Sequence, residues 1–159
     1  MPVHLATYLN DHLAGSTAGL ELARRTHGSN SEGELGAFLE TLVTEIDEDR
    51  EVLRGIIRAV GAGEDRLKVK LAWVGEKAGR LKLNGQLTGY SPLSRVVELE
   101  GLALGVTGKL ALWRMLTALE DPRLEGYDFA ELIARAERQR DGLESARVEA
   151  GLLALRKGA

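Results

Sequence analysis

The chain has 159 residues with 21 Lys plus Arg against 24 Asp plus Glu, a net charge of −3 at neutral pH that argues against nucleic-acid binding through bulk electrostatics. It has no cysteine, which excludes a disulfide framework, a zinc–thiolate site and a cysteine nucleophile. The length suits one domain over 1–159 with a sizeable core. With no basic-then-apolar leader and no long unbroken apolar run, the expectation is a cytoplasmic protein without a membrane partner.

Residues 3 to 27 predict a first helix, with Leu5, Leu9, Leu13, Leu20 and Ala23 in one stripe; His12 and Ser16 fall inside that stripe. HGSNSEG (27–33) reads as a loop. A second helix is predicted from about 34 to 60, where Leu39, Leu42, Ile46, Leu53, Ile56 and Val60 recur at helical spacing. Between Ile46 and Leu53 either Asp49 or Arg50 must edge into the stripe, and GAGED then stops the helix. Residues 66 to 83 fit a strand in their first half and a helix as a whole. In an otherwise helical chain the helix is preferred, because a lone hairpin is marginal in water. Its basic residues (Arg66, Lys68, Lys70, Lys77, Arg80, Lys82) with Trp73 read as a solvated face.

Ser91 as N-cap and Pro92 in the first turn open the next helix, which runs to about Leu119 before DPRLEGY. Leu93, Val97, Leu104, Ala111 and Met115 form one stripe, and Leu99, Leu102, Val106, Leu110 and Trp113 another; the first should meet the short helix or another subunit. GVTGK (105–109) resembles a phosphate loop only in part: Ala103 and Leu110 stand where that pattern needs Gly and Ser or Thr, and no strand precedes it. The pairs Gly15/Gly19 and Gly101/Gly105 share helix faces and predict close packing or a dimer seam. The last helix is predicted over about 128 to 156, its inner face drawn through Phe129, Ile133, Ala136, Leu143, Gly151 and Ala154. Arg140 and Arg147 fall in that face.

Two long helices, a connection carrying a shorter helix, then two more long helices predict an all-α four-helix bundle with one long crossover. The polar residues within the stripes (His12, Ser16, Asp49, Glu100, Arg140 and Arg147) should then pair with one another, since a buried unpaired charge costs several kcal/mol. His12 in an apolar stripe reads first as a core histidine, and the runs of Glu and Asp as solvated faces.

In helix order and in EIDE (45–48), ELE (98–100) and ERQR (137–140), the chain resembles the ferritin-like superfamily. Di-metal members place Glu-x-x-His on two of the four helices. Here Glu48 and Arg140 stand at the histidine positions. The resemblance therefore implies a non-catalytic bundle, a homodimer, acting through protein interaction or a small ligand. In it an arginine–carboxylate network of His12, Asp49, Glu100, Arg140 and Arg147 replaces the metal. The competing implication is a di-iron or manganese oxidoreductase or metal-storage protein with Glu45, Asp49, Glu100 and Glu137 as an unconventional ligand set. A transferase or hydrolase with His12 as base has no further residue to support it.

Overall fold

The computed structural model describes residues 3–63 and 89–156, all helices and turns with no strand among them. The stretch 66–83, with its choice between helix and hairpin, lies outside the described residues. Four long helices are present: α1 (Val3–Ser29), α2 (Gly33–Ala59), α3 (Pro92–Leu119) and α4 (Phe129–Arg156), with a short 3-10 turn at Pro122–Leu124.

Local chemistry sets the ends. Ser91 accepts from the Ser94 backbone N–H at 3.1 Å while the Ser94 hydroxyl accepts from the Ser91 N–H at 3.2 Å, a reciprocal cap that satisfies two donors at the start of α3. At the end of α2, Gly61 takes a φ of +72°, and the N–H groups of Gly61 and Ala62 return to the carbonyls of Arg58 and Ile57. That double return closes the helix end, and the left-handed residue it requires favours glycine. Between α3 and α4, Asp121 accepts from the Arg123 backbone N–H and opens the 3-10 turn.

Side-chain contacts fix the directions. Asn10 near the start of α1 donates to the Gly63 carbonyl just beyond α2, at 3.4 Å. Asn30 at the end of α1 donates to the Tyr90 hydroxyl at 2.6 Å and accepts from Arg95 at 2.6 Å, both at the start of α3. Helix α1 is thus antiparallel to α2 and to α3, and α2 and α3 run the same way. The chain leaves α2 at one end of the bundle and re-enters at the other, about 40 Å away for helices of this length. Helix α4 is antiparallel to α2, as Phe38 against Gly142, Glu45 against Gln139 and Glu48 against Arg135 show. Packing is most extensive between α3 and α4, then α1 and α2; α3 also packs on α1, and α2 meets α4 lightly.

The core is aliphatic, as the low aromatic content requires. Leu9, Leu13, Leu20 and Ala23 of α1 meet Leu39, Leu42, Leu53 and Ile56 of α2 and Leu99, Leu102, Val106 and Trp113 of α3. Of the two α3 stripes, only the second is core. Leu93, Val97, Leu104 and Met115 are about half to three-quarters exposed and face away from the other described helices. Serving one apolar surface inward and another outward, α3 is by length and composition long and apolar enough to cross a membrane, although part of it is buried core.

On α4 the buried residues are Leu132, Ala136, Gln139, Leu143 and Ala150. The expected face, drawn from Phe129 and Ile133, follows the half-buried flank of this seam, and projecting from there reaches Arg140 and Arg147. Neither arginine turns into the core. The guanidinium of Arg140 donates to Asp141 at 2.9 Å, and that of Arg147 to Glu144 at 2.7 Å, both partly in solvent. The inward polar residue of α4 is Gln139.

Candidate functional site

Asp49 stands in the middle of α2 at the position where the 3-4-3-4 spacing from Ile46 to Leu53 needs a core residue, and it is 2% exposed. Arg50, the other contender, turns sideways toward α1, to the Thr17 hydroxyl at 3.2 Å and toward Asp47. A carboxylate so placed needs cations, and two reach it. Lys109 of α3 donates to Oδ2 at 2.6 Å, and Arg135 of α4 donates to Oδ1 at 3.2 Å while also meeting Glu48 at 2.8 Å. The Lys109 ammonium donates again to the Gln139 side-chain oxygen at 2.5 Å, and Gln139 passes its own N–H to Glu45 at 2.7 Å. Burial pulls the Lys109 ammonium below its ordinary range, a pull that the Asp49 carboxylate opposes.

Of the residues singled out by sequence, Asp49 lies in this network and Glu45 joins it. Glu100 does not: it is exposed and among the described residues meets Arg147 at 3.4 Å, so that expected pair forms on the surface. Glu137 is bound to Arg114 at 2.7 Å, also at the surface. The proposed ligand set Glu45, Asp49, Glu100 and Glu137 is therefore not brought together, and among the described residues no group of three or more His, Asp or Glu is placed to hold a metal ion. Arg140 and Arg147 are replaced in the interior by Lys109, Arg135 and Gln139. Neither Lys109 nor Gln139 was among the residues singled out by sequence; the signals that could have found them are the place of Lys109 as the lone charge in the apolar run GLALGVTGKLALW and of Gln139 three residues after Ala136 and four before Leu143.

Above this network lies a cavity of about 490 Å³ between α1 and α3, with α2 as its floor. Asp49 and Lys109 are in the floor; Ile46, Leu53, Leu102, Val106 and Leu112 supply apolar wall; Gly15 and Gly19 of α1 face Gly101, Gly105 and Gly108 of α3. Glycine was expected here for close helix approach. Only Gly101 meets that description, since a Cβ built there would lie 3.1 Å from Leu22; at Gly15, Gly19, Gly105 and Gly108 it would meet nothing within 4 Å. Gly15 and Gly105 are exposed at the rim of the cavity, and Gly19 and Gly108 are half-buried along it.

His12 lines this cavity, partly buried, with its ring edge-on to Tyr8 at a centroid distance of 4.6 Å; burial lowers its pKa from the ordinary 6.5, so it is neutral at pH 7. Ser16 donates to the Leu13 carbonyl one turn back at 2.7 Å, which satisfies its hydroxyl hydrogen inside the helix and leaves its oxygen as an acceptor. Trp113, 1% exposed, lines the same cavity, and its indole N–H finds no acceptor among the described residues. The site combines apolar wall, a charge-balanced floor and a few polar groups, the usual make-up of a small-molecule pocket, in a volume within the usual range of about 300–1,000 Å³. Comparison with protein-family models, with curated proteins and with solved structures returned no match for this chain.

Proposed function

We propose that the chain is a non-catalytic bundle of ferritin-like arrangement that binds a small molecule in the α1–α3 cavity, with an internal ion-pair network in place of a metal centre. The observation that carries this reading is the Lys109 ammonium, held mid-bundle between Asp49 and Gln139. A fixed cation there supplies the positive charge that a di-metal carboxylate protein obtains from its ions, and it consumes the acceptors that an ion would need. Two antiparallel helix pairs, joined so that α2 and α3 run parallel, support the ferritin-like arrangement.

Iron or manganese would need several oxygen ligands converging on one point. With Glu100 and Glu137 on the surface and Asp49 committed to two cations, the described residues do not fit that requirement. Elemental analysis of protein purified from iron- and manganese-supplemented culture is expected to give well below one metal per chain. Stoichiometric metal that disappears in Asp49→Ala would overturn the proposal.

A further inference from the structure

Exposed apolar side chains are confined to one pair of helices. From His4 to Ala59, α1 and α2 expose no large apolar side chain among the described residues. On α3, by contrast, Leu93, Val97, Leu104, Met115 and Leu119 are about half to three-quarters exposed. On α4, Val148, Leu152 and Leu155 recur at steps of four and three and are exposed to a similar degree. These two helices are the most extensively packed pair in the bundle. Scattered surface leucines need no explanation, but their concentration on one helix pair marks a surface that something covers.

Size and charge narrow the choice of cover. A helix of 28 residues such as α3 is about 42 Å long. With α4 alongside, this side of the bundle measures roughly 42 by 20 Å, on the order of 800 Å². Each partner in a standard protein–protein interface contributes about 800 Å². The same side carries the ion pairs Arg147–Glu100 and Arg114–Glu137. Such pairs suit the polar rim of a protein interface, whereas in hydrocarbon they would be costly, which argues against lipid as the cover.

The spacing on α3 points to a second copy of the chain. Leu93 and Met115 each lie eleven residues from Leu104, and Val97 and Ala111 each lie seven from it. All five are exposed and fall within about 40° of one another around the helix. A two-fold interface joins the same patch of both subunits, so it needs a pattern that reads alike in both directions. Two copies of α3 set antiparallel, Leu104 on Leu104, place Leu93 against the partner's Met115 and Val97 against the partner's smaller Ala111. We propose that the α3–α4 side is the interface of a homodimer, with α3 antiparallel to its copy and the two-fold axis at Leu104.

The chain has no cysteine, so thiols introduced one at a time report the contacts directly. Under mild oxidation Leu104→Cys is expected to link to its own copy. Leu93→Cys and Met115→Cys should each link poorly alone and efficiently when the two variants are mixed. In light scattering the unmodified full chain should be dimeric at about 100 µM, and Leu104→Glu should weaken the dimer about a hundredfold or more. That variant changes an exposed position, so its helical circular dichroism should be intact. A chain that stays monomeric at that concentration would overturn the homodimer, and its co-sedimentation with phosphatidylcholine vesicles would then give the face to lipid. A dimer unaffected by Leu104→Glu would overturn the interface. Self-linking of Leu93→Cys as efficient as that of Leu104→Cys would overturn the antiparallel register.

Discussion

The seams on either side of the bundle use the same residue to opposite ends. Between α2 and α4, Gly142 is a socket: a Cβ there would lie 2.5 Å from the ring of Phe38, so the aromatic edge occupies the space of the missing side chain. Gly55 of α2 likewise receives the Tyr127 hydroxyl, 2.8 Å from the same point. Between α1 and α3, Gly101 alone behaves this way, and the other four leave a hollow. One seam is therefore complementary in shape, and the other is open at constant composition. A glycine spacing of four residues places small residues on one face; what lies opposite decides whether they become a contact or a volume.

Substitutions by alanine divide the two seams by sign. The largest loss is expected at filled positions. Gly142→Ala drives a methyl into Phe38 and should cost about 1–3 kcal/mol in urea unfolding, the usual range for overpacking. Outside either seam, in the first turn of α2, Gly36→Ala should lie at or above the top of that range, because the atoms in the way, 2.4 Å from the new Cβ, are the Ser31 backbone carbonyl, which cannot rotate aside. A neutral result at Gly142 would remove the socket half of the comparison. At the open positions the direction reverses. Gly15→Ala, Gly19→Ala, Gly105→Ala and Gly108→Ala should each stabilise by up to about 1 kcal/mol, with gains that add for well-separated sites. A loss at Gly105 or Gly108 would mean that the hollow is filled in solution.

The smallest expected effect is the pH dependence of the open seam. His12 is held neutral by burial, so its folded pKa lies below its ordinary 6.5 and the unfolded chain binds the proton more readily. Its contribution is complete above pH 6.5 and is lost as pH falls through the folded value. The acid limb of a stability profile should flatten in His12→Phe. An unchanged limb would place the titrating group elsewhere.

Much of the scaffold was legible in the sequence because its signals are local. Ser91-Pro92 caps a helix from four residues of chemistry, Gly61 ends one, and the strict spacing around Asp49 puts a carboxylate in the core. The α4 face was not legible by the same means. Phe129 and Ile133 are large and half-buried, so they outweigh Ala136 and Ala150 in any hydrophobic tally and draw the apparent stripe toward Arg140 and Arg147. The true seam contains Gln139, whose polarity disguises a core position. Lys109 was hidden differently: its surroundings, GVTGK, fail as a phosphate loop, but the lysine itself is the buried cation. The cavity could not be read at all, since an empty volume depends on distances between helices and leaves no residue type of its own.

The network joining Asp49, Lys109, Gln139 and Glu45 has a mechanical consequence. The buried seam of α4 repeats in steps of four and three, so sliding the helix by one heptad would set Leu132 or Ala146 where Gln139 stands and still present apolar residues to the core. Hydrophobic packing alone discriminates poorly between those alignments. The slide would strip Lys109 of one acceptor and Glu45 of its donor, both half-buried, and draw Gln139 away from both partners, at about 1–3 kcal/mol for a buried amide left unsatisfied. One amide thus acts as the index pin of the bundle, fixing α4 longitudinally against α2 and α3 so that Asp49 meets both cations in a single alignment of the helices.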